Sequence, residues 1–312
     1  MPTSASPQIP AGVWPVMLTP FAATGEIDWN ALDALVDWYI DAGVAGLFTV
    51  CLSSEMYQLA PEERLQLAAG VIERAGGRVP VVAAGAFGDS TAAQADMAAR
   101  LYDTGLDAVV LTANQLAAED ESEDVWKKRA AAIFDACDGI PLGLYECPRP
   151  YHRKLSPDTL GWAAGTGRIF FYKDTCCSMP AIRGKLAAID GTPLAWFNAH
   201  APTLLESLQA GGSGYSSIAA NFIPELYVWL CKNYADAPDR ARELQAFLTE
   251  AQDVIGKKYL RNAKRYLQRL GLPIDTHCRV DRPELTTADL RDLDALRDAA
   301  AQWMQRLNEA DQ

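Results

Sequence analysis

Two residues of the chain have the types and surroundings for covalent carbonyl chemistry. Lys173 follows the apolar run Ile169-Phe170-Phe171-Tyr172, and Tyr145 closes Leu142-Gly143-Leu144. An amine at the end of a buried run loses hydration, which disfavours its charged form and frees it to attack a ketone. A tyrosine beside it can donate and accept the protons that such an attack moves. Each residue also has a plainer reading. The lysine can snorkel to solvent or pair with Asp174, and the tyrosine can be a core residue with its hydroxyl satisfied. Ser53 and Ser54 can offer a hydroxyl and a backbone N–H to a carboxylate, or simply form a turn. Glu55 is read as fixing that turn through backbone N–H groups.

Other polar side chains fall where strands end. Asn114 and Gln115 follow the fourth apolar run, Arg149 the fifth, His200 the seventh, and Ser216 lies in the eighth. Gly211-Gly212-Ser213-Gly214 resembles a phosphate cradle, but it precedes a strand and so belongs to the face opposite the chemistry. Cys176-Cys177 has no paired histidine and orienting acid, so both are read as small buried residues. With three His (152, 200 and 277), seven Cys and no CxxC, no metal-ligand spacing is present.

The elements that must position these residues repeat regularly. Short apolar runs at 13–19, 46–51, 79–85, 107–112, 140–146, 168–174, 192–198 and 214–220 each precede a helical stretch. The runs are continuous rather than alternating, as expected of parallel strands buried on both faces. Ser90-Thr91 and Ser156-Pro157 read as helix starts, with serine as N-cap. Eight β–α units with no GxGxxG after the first strand predict an α/β fold, a (β/α)8 TIM barrel, whose chemistry sits at the C-terminal strand ends. The expected organisation is a disordered arm at 1–10, the barrel at 11–237, and a C-terminal helical extension at 238–312 packed on the barrel.

Composition sets the outer bounds. In 312 residues, 49% hydrophobic and 22% charged, a large core is available. A net charge of −12 argues against nucleic acid or anionic membrane as a partner. MPTSASPQIP lacks the basic and apolar regions of a secretion signal, and no run approaches the ~18 apolar residues of a membrane span. Reduced thiols and a cytoplasmic location are the expectation.

These residues together resemble the dihydrodipicolinate synthase / N-acetylneuraminate lyase family of class I, pyruvate-dependent aldolases. The likeness rests on Leu18-Thr19-Pro20-Phe21, Ser53-Ser54-Glu55, Tyr145-x-x-Pro148, Lys173-Asp174, Gly211-Gly212 and Ala220-Asn221, and it runs over nearly the whole chain. It implies a Lys173 Schiff base with a pyruvate-like 2-oxo acid, Tyr145 as proton relay, and Ser53 with the Ser54 N–H on the substrate carboxylate. It implies neither metal nor organic cofactor, and a homo-oligomer, a dimer of dimers. Gln115, Arg149, His200 and Ser216 are then expected to bind the substrate tail, as in a 2-keto-3-deoxy sugar acid. Expulsion of water from such an acid, or non-catalytic binding of a 2-oxo acid, are the alternatives.

The chain also departs from the family pattern. Leu52 stands where a hydroxyl residue is usual, and Glu146 where asparagine is. Thr112-Ala113-Asn114-Gln115 lacks the relay tyrosine that the synthases have there. Pro150 takes the place of their acceptor arginine, and Phe171-Tyr172 that of small residues. A substrate shell unlike that of the synthases, with poor condensation of pyruvate and aspartate semialdehyde, is expected.

Overall fold

The computed structural model describes Pro7 and residues 9–310. In chain order the barrel units are β1 (Gly12–Val13) and α1 (Trp29–Asp41), β2 (Leu47–Thr49) and α2 (Pro61–Ala75), β3 (Val81–Ala84) and α3 (Thr91–Tyr102), and β4 (Ala108–Thr112) and α4 (Glu123–Ala136). The second half contains β5 (Leu142–Tyr145) and α5 (Pro157–Gly165), β6 (Ile169–Asp174) and α6 (Met179–Ala188), β7 (Ala195–Asn198) and α7 (Leu204–Gln209), and β8 (Gly214–Tyr215) and α8 (Pro224–Asn233). Helices α9 (Pro238–Ile255), α10 (Arg261–Arg269) and α11 (Thr287–Ala310) follow.

All neighbouring strands pair in parallel, in the order β1-β8-β7-β6-β5-β4-β3-β2. The two ends meet where Ala45 N–H donates to Val13 O at 2.8 Å, Phe48 N–H to Pro15 O at 3.1 Å and Met17 N–H to Phe48 O at 2.9 Å. These bonds close a (β/α)8 barrel. The first and last strands are shorter than their apolar runs. After Val13 the chain stays buried but bridges β2 only at Val16–Phe48, and after Tyr215 it coils into a 3-10 turn at Ile218–Asn221. The serine caps are present: Ser90 accepts from Ala93 N–H and Ser156 from Thr159 N–H.

Most of the expected arm lies outside the described residues. At its end, Ile9 packs on the core and the Pro10 carbonyl accepts the Trp14 indole N–H at 3.0 Å. Among the described residues no helix is long and apolar enough to cross a membrane.

Strand pleat explains what lies inside. Side chains alternate across a strand, so on β6 Phe171 and Lys173 point into the barrel while Tyr172 and Asp174 face the helical layer. The interior is an aromatic plug. Phe171 stacks on Phe197 with centroids 4.8 Å apart and meets Trp14 and Phe48 edge-on at 5.4 and 5.6 Å. A β-carbon at Gly46 would stand 2.3 Å from the Trp14 ring, so only glycine admits this packing.

On the outer side Lys185 of α6 clamps β5 to β6. Its Nζ donates to Glu146 Oε1 at 2.6 Å and to Asp174 Oδ2 at 2.7 Å, with all three side chains buried. Glu146 also accepts the Tyr172 hydroxyl at 2.5 Å and the Leu155 and Thr175 N–H groups at 2.7 and 3.1 Å. Burial drives the Glu146 carboxyl up, and the Lys185 ammonium opposes it. Removing one member leaves uncompensated charge in a dry site. Lys185→Met is therefore expected to lower unfolding free energy by about 3–5 kcal/mol, read as a shift of the urea midpoint. A midpoint within error of the parent would show that the clamp contributes nothing.

Candidate active site

Tyr145 and Lys173 are register partners on β5 and β6, at the C-terminal mouth of the barrel. The Lys173 Nζ lies 4.1 Å from the centroid of the Tyr145 ring and 5.8 Å from that of Phe48. Among the described residues no carboxylate reaches ion-pairing distance of this amine, because Asp174, next in sequence, is turned outward to Lys185. Burial lowers the Lys173 ammonium from its ordinary 10.5 to about 8, with the Cys51 and Cys147 thiols opposing. Roughly a tenth of the amine is then free at pH 7. Burial, with the same two thiols, pushes the Tyr145 phenol well up, so it is present as a neutral hydroxyl able to donate.

The mouth encloses a cavity of about 260 Å³ reached by Ser53, Tyr145, Lys173, Ser217, Tyr259 and Arg282. A larger hollow of about 840 Å³ lies beside α1, but it is open and lined by the ion-paired Asp37, Arg74 and Arg78. It is lined by neither Lys173 nor Tyr145, both of which line the smaller cavity.

The loop after β2 supplies Ser53. Val50, at φ 46°, and Glu55, at φ 59°, both have left-handed backbone, unfavourable for side chains with a Cβ and most of all for β-branched valine. Between them Leu52–Ser54 forms one 3-10 turn. Ser54 is committed to that turn, contrary to the role expected for it. Its N–H donates to Cys51 O at 3.0 Å and its hydroxyl to Met17 O at 2.7 Å, so its N–H is not free for a carboxylate. Glu55 does not bond its own turn either. It faces Lys264 Nζ at 3.3 Å and accepts Val280 N–H at 2.7 Å, holding the C-terminal segment over the mouth.

The other expected shell residues do not line the cavity. Arg149 is exposed, and its carbonyl accepts the Tyr57 hydroxyl at 2.9 Å. Gln115 is half-buried, and its carbonyl faces Gln94 Nε2 at 3.5 Å. The His200 Nδ1 lies 3.1 Å from Thr203 Oγ1. Ser216 is fully buried with its hydroxyl unpartnered, and its neighbour Ser217 reaches the cavity instead. Asn114 Nδ2 lies 2.6–2.8 Å from the carbonyls of Cys147, Arg149 and Tyr151, and so holds the loop after β5. Cys177, expected to be buried, is exposed at the cavity rim with φ 57°.

Tyr259 was invisible to strand-end reasoning because it follows α9, outside the barrel units. Its hydroxyl donates to Ser53 Oγ at 2.9 Å and accepts from Asn221 Nδ2 at 2.5 Å. Asn221 in turn accepts the Tyr39 hydroxyl at 2.5 Å. A hydroxyl chain therefore enters the mouth from the side, where Leu52 provides none. Among the described residues there is no group of three or more His, Cys, Asp or Glu side chains arranged to hold a metal ion.

A parallel (β/α)8 barrel with a lysine and a tyrosine side by side at its mouth is the architecture of a Schiff-base lyase. The chain matches the Dihydrodipicolinate synthetase family over residues 9–301 and belongs to it. It is 29% identical over 233 residues to a 4-hydroxy-tetrahydrodipicolinate synthase of Marinobacter nauticus, covering 74% of this chain and 78% of that one. The dihydrodipicolinate synthase of Acinetobacter baumannii, solved with pyruvate, superposes with a TM-score of 0.83 at 25% identity, over 93% of this chain and 99% of the other. A prophage protein of the family from E. coli K12, YagE, also solved with pyruvate, gives 0.80 at 25% identity over 94% and 98%.

The cavity geometry has a chemical readout. Cys177 is the one exposed thiol among the seven. Native iodoacetamide labelling is expected to modify it first, slowly because burial raises its thiol. Peptide mass mapping that finds Cys51 or Cys147 labelled first would contradict this arrangement of the mouth.

Proposed function

We propose that the chain is a class I aldolase-type lyase acting on a pyruvate-type 2-oxo acid, with Lys173 as the Schiff-base nucleophile. The observation that carries this reading is the buried Lys173 amine, brought to about 8 and held over Tyr145 with no counter-ion among the described residues. Membership of the family supports it.

In this reading the free amine attacks the C2 ketone. The carbinolamine takes a proton on its oxygen, expels water and leaves a protonated imine. As the C4 hydroxyl gives up its proton and the C4 fragment leaves as an aldehyde, that imine accepts the electron pair of the breaking C3–C4 bond, and the resulting enamine is protonated at C3. Hydrolysis then releases the keto acid and regenerates the amine. In the synthetic direction the enamine carbon attacks an aldehyde instead. Tyr145 carries protons between nitrogen and oxygen. Ser53, held by Tyr259, binds the C1 carboxylate or passes a proton, and Tyr259 stands in for the hydroxyl missing at Leu52. A dimer of dimers and a cytoplasmic setting belong to the same reading, and light scattering tests the first.

Borohydride with pyruvate is expected to add one pyruvate-derived mass at Lys173, and Lys173→Ala to abolish it. An adduct mapped to another lysine would end the proposal. Tyr145→Phe is expected to slow turnover by ~10²–10⁴-fold, the range for a positioned proton-transfer group. Tyr259→Phe is expected to cost less while leaving the Lys173 adduct in place. Release of pyruvate from a 2-keto-3-deoxy acid separates carbon–carbon cleavage from water loss.

A further inference from the structure

The stretch from the end of α9 through α10 and the segment after it carries several cations. Four of them have carboxylate partners and do not line the cavity. Lys258 pairs with Asp289 at 2.6 Å, Lys264 with Glu55 at 3.3 Å, Arg279 with Glu63 at 2.6 Å, and Arg261 with Glu284. Arg282 differs. It lines the same cavity as Lys173, yet among the described residues it has no carboxylate partner. Its one hydrogen bond runs from Nη1 to the Asp281 carbonyl at 3.2 Å, and its Nε is enclosed with no partner. An arginine cannot shed its charge, so a half-enclosed guanidinium facing a cavity retains unmet donors in a fixed fork. In a chain of net charge −12, a cation left without a carboxylate beside the site calls for a physical reason.

We infer that Arg282 is the subsite for a second anionic group on the substrate, so that the substrate is a 2-oxo acid with a carboxylate at its far end. This rests on the Lys173 Schiff-base reading, which fixes the ketone at the amine and the C1 carboxylate beside Ser53. The remainder of the ligand must then lie along the cavity toward its other cationic wall, Arg282. Apart from Lys173, Arg282 is the one Lys, Arg, Asp or Glu side chain among the residues that line the cavity. The guanidinium fork matches a carboxylate with two parallel hydrogen bonds, a geometry that a hydroxyl cannot use fully. About 260 Å³ is small beside the ~300–1,000 Å³ of pockets for drug-sized ligands. The space suits a short dicarboxylic acid better than a long hydroxylated chain. The residues expected to bind such a chain (Gln115, Arg149, His200 and Ser216) lie outside the cavity lining.

The test compares acids of equal length in borohydride trapping at Lys173. 2-Oxoglutarate is set against 2-oxopentanoate, and 2-oxoadipate against 2-oxohexanoate, with a terminal-phosphonate analogue as a third arm. The unsubstituted protein is expected to be half-saturated by at least one diacid at a concentration about tenfold to a hundredfold below its monoacid, the range for a charge-assisted bond. In Arg282→Met that ratio is expected to fall to near one, and in Arg282→Lys to an intermediate value. Preference for the phosphonate over both carboxylates would overturn the carboxylate assignment. No diacid preference in the parent protein, or a preference that survives in Arg282→Met, would overturn the subsite. If Arg282→Met does not fold, Arg282→Lys and the parent ratio still decide. Pyruvate trapping in the parent separates the two levels: no pyruvate adduct sinks the Schiff-base reading, whereas an adduct without diacid preference sinks only this inference.

Discussion

The site depends on where one carboxylate points. Asp174 follows Lys173 directly, and an aspartate beside a lysine amine would hold it protonated and unreactive. Strand pleat turns Asp174 outward, and Lys185 with Glu146 satisfies it there. The Lys173 amine is left inside the barrel with aromatic rings and thiols for neighbours. Burial then weakens its proton affinity without an opposing anion. The outer ion cluster and the inner free amine are thus two consequences of one alternation along β5 and β6. The usual asparagine after the tyrosine is replaced by Glu146, and the substitution is absorbed in the outer layer, where Lys185 balances it.

The second constraint comes from the C-terminal extension. Glu55 and Glu63, both from the β2–α2 region, bind Lys264, Val280 and Arg279, and so fix this segment across the mouth. Tyr259 is then able to reach Ser53, and Arg282 the cavity. In the proposed mechanism the barrel supplies the covalent chemistry, and the added segment supplies groups that shape what is bound there. That division follows the general habit of barrels, in which rigid strand ends hold the reacting groups and the surrounding segments vary.

Much of the fold was legible because each β–α unit carries its own local signal. Continuous apolar runs marked the strands, and serine caps marked α3 and α5. Tyr145 and Lys173 could be placed at strand ends for the same reason. What failed to read through was side-chain direction in the loops. Ser54 looks like a ligand residue by type, but its 3-10 turn consumes both its N–H and its hydroxyl. Ser216 and Ser217 are adjacent and chemically identical, and only the backbone path decides that Ser217 faces the cavity. Cys177 is carried to the rim by a left-handed backbone that its residue type does not predict. Tyr259 and Arg282 lie far from any strand end in sequence, and long-range contacts such as those of Glu55 and Glu63 bring that region back to the mouth.

The mechanism turns on Lys173 as an amine whose proton is loosened by burial, with no counter-ion among the described residues. Titration of the lysine side-chain ¹³Cε resonances by NMR, with the Lys173 signal assigned from Lys173→Ala, measures this directly. The account predicts that this one resonance titrates with a midpoint near 8. A midpoint near the ordinary 10.5 would contradict it, because the amine would then be solvated or ion-paired.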